Sequence, residues 1–221
     1  MPLIELQTVH YTYRSRYQSV EALRGISGIF ERGKLYAIMG KSGSGKTTLL
    51  SLIAGLDLPG QGRVLYEGVS TADMDLEEYR REKVAVIYQN FRLLPLLTAA
   101  ENIMLPMELQ GVSPREAKRR AMALIAQVSL PETVHNAYPT MLSGGEQQRV
   151  AIARALGTGA KLILADEPTG NLDTANGENI VGIMRQLAHE GDRCVIVTTH
   201  SDAVGSRADT VLRIQDGLLL S

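Results

Sequence analysis

The sequence of 221 residues is poor in cysteine and in large aromatic residues. It has one cysteine, two phenylalanines and no tryptophan. A single thiol, Cys194, excludes an intrachain disulfide framework and a multi-cysteine zinc site, which is typical of a reducing compartment. We expect Cys194 to be buried and unreactive. The shortage of aromatic rings argues against the stacking platforms that bind single-stranded nucleic acid.

Neither sign of charge dominates, and no apolar run is long. The chain has 23 Lys and Arg against 24 Asp and Glu, a net charge of -1, so we expect no nucleic-acid partner. The uncharged run Leu93–Ala100 is far shorter than the roughly 20 apolar residues that span a bilayer. No basic-then-apolar signal segment opens the sequence. It ends soon after Gly217, so no C-terminal regulatory domain is expected.

The composition, 44% apolar and 21% charged, is that of an ordinary globular domain. Near-continuous apolar runs alternate with helical patterns, which favours an α/β fold with a mostly parallel sheet covered on both faces. The predicted strands are Ile4–Val9, Ala22–Ile29, Leu35–Met39, Arg63–Tyr66, Val84–Tyr88, Leu162–Asp166, Cys194–Thr198 and Val211–Ile214.

The middle of the chain is predicted to be helical. Residues from about Asn90 to Leu156 read as a helical subdomain inserted in the sheet domain. Within it, the pattern from Ser113 to Glu116 predicts a capping box with Pro114 at the first helical position. A further amphipathic helix is predicted from Thr174 to Glu190, with Gly191 as its stop.

A phosphate-binding loop is predicted at residues 40–47. The letters GKSGSGKT match the pattern G-x-x-x-x-G-K-[ST] in full, after an apolar strand and before a helix-compatible run, Thr48–Ala54. Glycines let backbone N–H groups converge on phosphate oxygens, and the helix N-terminus adds its positive dipole end. Lys46 would supply charge to the β- and γ-phosphates, and Thr47 a hydroxyl to Mg²⁺. The residues predicted to contact the nucleotide here are Gly40, Lys41, Ser42, Gly43, Ser44, Gly45, Lys46, Thr47 and Thr48.

Two adjacent acids end the buried strand Leu162–Asp166. Asp166 is placed to hold Mg²⁺ through water, and Glu167 to polarise an attacking water. Alone, an Asp-Glu pair before Pro168 could simply open a solvated loop. Beside a phosphate-binding loop it indicates nucleotide hydrolysis.

A second helix start is built to meet a phosphate. Ser143 and Glu146 have the spacing of a capping box, and Gly144 and Gly145 leave the first-turn N–H groups accessible. The positive end of the helix dipole is then free to bind an anion. The loop around Lys46 already surrounds one phosphate, so this second site needs a separate explanation.

Together these motifs resemble the ATP-binding-cassette (ABC) ATPases over essentially the whole chain. LSGGEQQRVAIARAL (142–156) looks like the signature motif of that family, and Gln89, LILADE (162–167), NLD (171–173) and His200 stand in the family's order. The resemblance implies a P-loop NTPase fold of ABC type with an N-terminal antiparallel β part. It implies one domain, 1–221, with 1–89 and 157–221 as the RecA-like core and about 90–156 as the helical subdomain.

The resemblance also implies a homodimer. In that family two cassettes pair head to tail, so that Ser143 and Gly145 contact a γ-phosphate held by the partner subunit's Lys46. This would explain the second phosphate site. The implied ATP contacts of the signature are Ser143, Gly144, Gly145 and Glu146.

Further roles are carried over from the family residue by residue. Tyr13 resembles the aromatic residue that stacks on adenine, with Tyr11 as the alternative. Gln89 resembles the residue that joins Mg²⁺ and the attacking water to the membrane partner, and Asp173 the one that couples the two ATP sites. His200 resembles the histidine that holds the γ-phosphate. The implied catalytic residues are Glu167, His200 and Gln89, and the implied Mg²⁺ ligands are Thr47, Gln89 and Asp166.

Two segments narrow the resemblance. DEPTGNLD (166–173) and NFRLLPLLTAAENIMLPM (90–107) resemble the ATPases of lipoprotein release, macrolide export, cell division and peptide-antibiotic resistance. This implies an integral membrane permease as partner and a location on the cytoplasmic face of the membrane. The alternative is a soluble ABC ATPase such as a cofactor-assembly scaffold. A regulatory cassette without activity is disfavoured because Glu167 and His200 are both present.

The stretch after Gln89 is the predicted docking segment. Phe91, Leu93, Leu94, Leu96 and Leu97 form a dense apolar run broken by Pro95, which cannot be one amphipathic helix. We expect some of these side chains to enter the core and others to form an exposed patch, rimmed by Arg92 and Glu101, for a coupling helix of the permease.

Overall fold

The computed structural model describes residues 1–220, so Ser221, the end of the predicted segment 157–221, lies outside the described residues. Strands occupy most of the first third of the chain and then alternate with helices. In chain order they are β1 (Ile4–Arg14), β2 (Ser19–Phe30), β3 (Lys34–Met39), β4 (Gln61–Tyr66), β5 (Val69–Ser70), β6 (Val84–Tyr88), β7 (Leu162–Asp166), β8 (Cys194–Thr199), β9 (Thr210–Gln215) and β10 (Leu218–Leu220).

Most of the helical structure lies between β6 and β7. The helices are α1 (Lys46–Ile53), α2 (Leu76–Glu78), α3 (Ala99–Leu109), α4 (Pro114–Gln127), α5 (Gly144–Gly157), α6 (Thr174–His189) and α7 (Asp202–Gly205). Short 3-10 turns occur at Thr71–Asp73, Glu132–Asn136 and Pro139–Met141, and a π-helical turn at Tyr79–Lys83. Within residues 1–220 no helix is both long and apolar enough to span a membrane.

Two sheets form the framework. The smaller one is antiparallel with the order β2-β1-β4-β5, and β1 runs past the predicted Val9 because its pairing with β2 continues to Arg14 opposite Ser19. The larger has the order β10-β9-β3-β8-β7-β6, and only β10 runs antiparallel to its neighbour. The predicted α/β fold with a mostly parallel sheet and an antiparallel N-terminal part is confirmed.

The strands β3, β8 and β7 of the large sheet are buried on both faces, as their continuous apolar runs predicted. In β7, Leu162 and Leu164 point into a cluster formed with α1 and the small sheet. Ile163 and Ala165 point into a second cluster formed with α3 to α6. Cys194 belongs to the first cluster, and burial raises the pKa of its thiol to about 12, which agrees with the expected unreactive cysteine.

One predicted helix cap is wrong. Ser113 is the N-cap of α4 and Pro114 its first residue, but the Ser113 side chain makes no capping hydrogen bond. The carboxylate of Glu116 accepts hydrogen bonds from Arg119 at 2.7 and 2.8 Å and from Arg120 at 2.7 Å instead. The two guanidinium groups outcompete the backbone N–H of Ser113 for this carboxylate, because charge-assisted hydrogen bonds are the stronger ones.

Candidate active site

Four predicted site segments lie side by side at one edge of the large sheet. Gly40 follows β3, His200 follows β8, Glu167 follows β7 and Gln89 follows β6, and these four strands are neighbours in the order β3-β8-β7-β6. They run parallel, so their carboxyl ends meet at the same edge. In open α/β sheets this edge is where ligands bind.

The loop between β3 and α1 has the shape of a phosphate cradle. Gly43 and Gly45 have φ values of +79° and +108°, in the left-handed region that favours glycine, and a side chain at Gly45 would meet the carbonyl of Ala22. Helix α1 begins at Lys46, two residues before the predicted Thr48. The loop therefore ends directly in a helix N-terminus whose first N–H groups are free to bind an anion.

Lys46 is held where a phosphate group would reach it. Its side chain is only 5% exposed, and Nζ donates to the carbonyls of Gly40 at 2.8 Å and Lys41 at 3.0 Å. The hydroxyl of Ser44, also 5% exposed, has no hydrogen-bond partner among residues 1–220. A buried hydroxyl without a partner, inside a loop of this shape, fits a site built for phosphate oxygens.

Hard oxygen ligands converge beside this loop. Thr47 Oγ1 lies 3.2 Å from both carboxylate oxygens of Asp166 and donates to them. Thr198 Oγ1 donates to Asp166 Oδ1 at 2.6 Å and fixes the carboxylate. A hydroxyl and a carboxylate are oxygen donors of the kind that Mg²⁺ prefers when it also binds substrate phosphates. The side chains of Thr47 and Asp166 thus fit an Mg²⁺ ion.

A backbone turn brings Glu167 into the same site. Glu167 has a φ of +46°, unusual for a residue with a side chain, and its N–H donates to the carbonyl of Thr198 at 3.2 Å and to Thr198 Oγ1 at 3.1 Å. One carboxylate oxygen lies 3.7 Å from Lys46 Nζ and the other 2.7 Å from His200 Nδ1. The structure therefore brings together the predicted Lys46, Asp166, Glu167 and His200.

Gln89 belongs to a small amide network at the far end of this edge. Its Nε2 donates to Asn171 Oδ1 at 3.3 Å, and Asn171 Nδ2 donates back to the carbonyl of Gln89 at 3.2 Å and to Asn90 Oδ1 at 2.9 Å. The motif NLD includes Asn171, but the sequence predicts no role for this residue.

The sequence also does not predict the role of Thr198 in fixing Asp166, because a threonine at a strand end carries no sequence signal of its own.

The two tyrosines that could stack on adenine, Tyr11 and Tyr13, differ in their surroundings. Tyr13 is 51% exposed, its hydroxyl lies 3.2 Å from Thr48 Oγ1, and it lines a cavity of about 450 Å³ together with Lys46 and Thr47. Tyr11 instead donates its hydroxyl to Asp57. That hydrogen bond, with burial, raises the pKa of Tyr11 to about 12. The Tyr11 ring packs edge-on against the Tyr13 ring, with 4.9 Å between the ring centres. Because the Tyr11 hydroxyl is bound to Asp57 and Tyr13 lines the cavity, the geometry favours Tyr13 as the surface for adenine.

The predicted capping box at the start of α5 is confirmed. Ser143 Oγ donates to Glu146 Oε2 at 2.6 Å, the Ser143 N–H donates to the same oxygen at 2.9 Å, and these bonds lower the pKa of Glu146. The exposed Ser143 is not among the residues that line the cavity next to Lys46, and neither is any other residue of 142–149. The start of α5 therefore lies outside the cavity that contains Lys46 of its own chain.

Asp173 is the N-cap of α6, the helix that packs against the start of α5. It caps α6 by accepting from the N–H of Asn176 at 2.9 Å and from Asn176 Nδ2 at 2.7 Å, and these bonds lower the pKa of Asp173. A side chain at Gly145 would clash with Asn176, so the first turn of α5 packs tightly against α6. The first turns of α5 and α6 thus form one surface.

Comparison with known proteins gives a consistent result. A family model described as ABC transporter matches residues 23–170. An uncharacterized ABC transporter ATP-binding protein of Thermotoga maritima is 45% identical over 218 residues, which cover 97% of this chain and 92% of the relative. The macrolide export ATP-binding/permease protein MacB of Syntrophobacter fumaroxidans is 42% identical over 99% of this chain. The chain spans only 31% of that MacB protein.

A solved structure matches over nearly the full length. It is a dimeric post-hydrolysis state of the ATP-binding cassette MJ0796 bound to ADP and Pi, and it has 38% identity and a TM-score of 0.91. The match covers 99% of this chain and 97% of that one. MJ0796 belongs to Methanocaldococcus jannaschii.

Proposed function

The chain belongs to the ABC transporter family, and on that premise we propose that it binds and hydrolyses ATP to drive a separate membrane permease. One observation carries the proposal: at the carboxyl edge of the sheet Lys46 and His200 contact Glu167, Thr47 contacts Asp166, and the Thr198 hydroxyl joins the two groups by bonding both Asp166 and the Glu167 N–H. Lys46 is a cation that can bind phosphate, Thr47 and Asp166 are hard oxygen ligands, and Glu167 is a base that lies beside Lys46. Phosphoryl transfer needs positioning and charge stabilisation of this kind.

The geometry supports a role for each of these residues. ATP would lie with its phosphates in the loop 40–47 and its adenine on Tyr13. Thr47 and Asp166 would hold Mg²⁺, with Gln89 completing the set. When bound there, Mg²⁺ neutralises charge on the β- and γ-phosphates. Glu167 would orient the attacking water and accept its proton, while His200, 2.7 Å from that carboxylate, keeps the side chain in place.

We propose that the working unit is a homodimer. Ser143 caps α5 away from the Lys46 site of its own chain, yet it opens a helix whose N-terminus suits an anion. Head-to-tail pairing would bring this N-terminus to the γ-phosphate held by the partner subunit's Lys46. The dimeric state of the MJ0796 cassette supports this arrangement. Asp173 lies on the same surface and would contact the partner chain.

Purified protein is expected to release phosphate from ATP in the presence of Mg²⁺. Lys46→Ala should weaken ATP binding by at least about 10-fold, because it removes a charge-assisted contact to the phosphates, and turnover should disappear. Fluorescent-nucleotide binding and phosphate release measure both effects. Lys34→Ala is the matched control, since Lys34 is an exposed lysine whose one ion pair among residues 1–220 is with Glu31. Lack of phosphate release by the unmodified chain would contradict the proposed function.

A permease would fit the edge of the large sheet next to Gln89. Leu94 and Leu96 are 43% and 87% exposed, whereas Leu93 packs against the core. Strand β6 is the free edge of the sheet, and an apolar groove runs beside it. Its lining includes Leu56, Tyr88, Leu105 and Leu109. The relative MacB is named as a combined ATP-binding and permease protein, which supports a membrane partner for this chain at the cytoplasmic face of the membrane.

Substitutions in the docking segment are expected to fall into two classes. Leu96→Glu should leave the melting temperature unchanged within about 2 °C, because the side chain is exposed, yet abolish co-purification with a co-expressed permease subunit. Leu93→Glu should lower the melting temperature, because it places a charge against the core. If no substitution in Phe91–Leu97 separates binding from stability, the permease docks elsewhere.

A further inference from the structure

The segment that follows Gln89 has an unfavourable backbone. Phe91 and Arg92 have φ values of +54° and +48°, so two consecutive residues with side chains occupy the left-handed region. Such conformations persist only where the surrounding structure holds them. Something outside the segment must therefore fix it.

Arg154, near the end of α5, makes the contacts that do so. Its Nη1 donates to the carbonyl of Arg92 at 2.6 Å and its Nη2 to the carbonyl of Phe91 at 2.9 Å. The two nitrogens of one planar guanidinium group thus bind the two residues with positive φ. Arg154 is half-buried, and this burial lowers its pKa.

Arg154 also lies between the parts of the chain that the proposed reaction uses, which are the start of α5, the groove beside β6 and the loop after Gln89. It lies on the helix that Ser143 caps, and it lines the apolar groove beside β6. The Arg92 guanidinium lies 4.0 Å from the centre of the Tyr88 ring, so the loop is folded back onto the end of β6 next to Gln89. One rigid helix therefore links the proposed dimer contact, the proposed docking groove and the loop that carries Gln89.

We propose that Arg154 is a positioning residue that fixes the Gln89–Arg92 loop and so places the Gln89 side chain in the ATP site. Arg154 touches no substrate; it acts through the two carbonyls. This inference rests on the proposed function, because the position of Gln89 matters only in a chain that hydrolyses ATP. It adds a mechanical link between α5 and Gln89, and it gives Arg154, within the signature segment 142–156, a role that the sequence analysis did not assign.

Arg154→Lys is the informative substitution. Lysine keeps the charge and most of the length, but a single ammonium group cannot bind two carbonyls in the fixed geometry of the guanidinium fork. We expect kcat for ATP hydrolysis to fall about 10-fold or more, because small misplacement of a group in the site is costly. The KM for ATP and the melting temperature should stay unchanged. Arg185→Lys, the same change at an exposed position of α6, should alter neither kcat nor KM.

A double-mutant cycle with Gln89→Ala distinguishes positioning from a general structural effect. If Arg154 acts through Gln89, Arg154→Lys should cause no further loss of kcat once Gln89 is alanine. Losses that multiply, an unchanged kcat in Arg154→Lys, or a loss in Arg154→Lys with none in Gln89→Ala would each overturn the inference.

A second measurement needs no turnover. Amide hydrogen exchange of residues 89–94, measured without nucleotide, should become about 10-fold faster in Arg154→Lys and stay unchanged in Arg185→Lys, because the loop loses its external restraint. Equal exchange in both variants would overturn the inference even if the chain did not hydrolyse ATP. Lack of phosphate release by the unmodified chain would instead overturn only the proposed function.

Discussion

Glu167→Gln is expected to slow ATP hydrolysis at least about 100-fold while leaving ATP binding intact, because the amide cannot accept a proton from the attacking water. The amide has the same shape as the carboxylate and leaves the left-handed backbone of residue 167 unchanged. It can still form a hydrogen bond with His200. The fold and the phosphate contacts of Lys46 should therefore persist.

Phosphate release and nucleotide binding, measured on the same preparation, separate the two effects. Glu190→Gln, an equivalent change at an exposed acid next to the end of α6, is the control and should have the unmodified rate. A Glu167→Gln protein that keeps more than a tenth of the unmodified rate would show that another group accepts the proton.

Ser143→Arg is expected to abolish hydrolysis by a different route. The substitution puts a bulky positive group at the start of α5, where the partner's γ-phosphate would lie. Since Ser143 does not line the cavity next to Lys46 of its own chain, ATP should still bind the monomer with unchanged affinity. Dimerisation and hydrolysis should fall together.

Ser113→Arg is a close control for this prediction. Ser113 is also an exposed N-cap serine, and its side chain makes no capping hydrogen bond. Ser113→Arg should therefore retain activity. Mixing Ser143→Arg with Lys46→Ala should restore part of the hydrolysis, because a mixed dimer has one site with an intact phosphate loop and an intact α5 N-terminus. Unmodified activity of Ser143→Arg alone would refute the contact across subunits.

The sequence predicted the large sheet well because its signals are local and strong. The strands β3, β6, β7 and β8 are nearly continuous apolar runs, and the site residues follow these runs directly, so their meeting at one edge follows from the strand direction. Strand β7 has the predicted bounds Leu162–Asp166. The division into a core and a helical subdomain at residues 90 and 156 stays a prediction.

The helix caps show where local signals fail. Ser113 with Glu116 and Ser143 with Glu146 have the same spacing, yet only the second pair forms a capping box. An arginine follows each glutamate three residues later, so that feature does not separate them. Glu116 has a second arginine, Arg120, one position further on, whereas Glu146 has a valine there. Competition between these partners decides whether the capping box forms, and the spacing of serine and glutamate alone does not reveal that competition.

Some contacts between distant residues could not be predicted from the sequence. The positive φ values of Phe91 and Arg92 belong to residue types that rarely adopt them, and Arg154, which holds their carbonyls, lies in a different segment of the chain. The choice between Tyr11 and Tyr13 likewise depended on Asp57, which takes the Tyr11 hydroxyl. These features arise only when the elements pack together.

The mass of the Glu167→Gln protein in solution tests most directly that two chains share their ATP sites. With ATP and Mg²⁺, size-exclusion chromatography with light scattering should give twice the 24.0 kDa of one chain, because ATP that is bound but not hydrolysed holds the two subunits together. Without ATP, or when the same chain also carries Ser143→Arg, the mass should be that of one chain. A mass of 24.0 kDa at micromolar protein, with ATP demonstrably bound, would contradict the account.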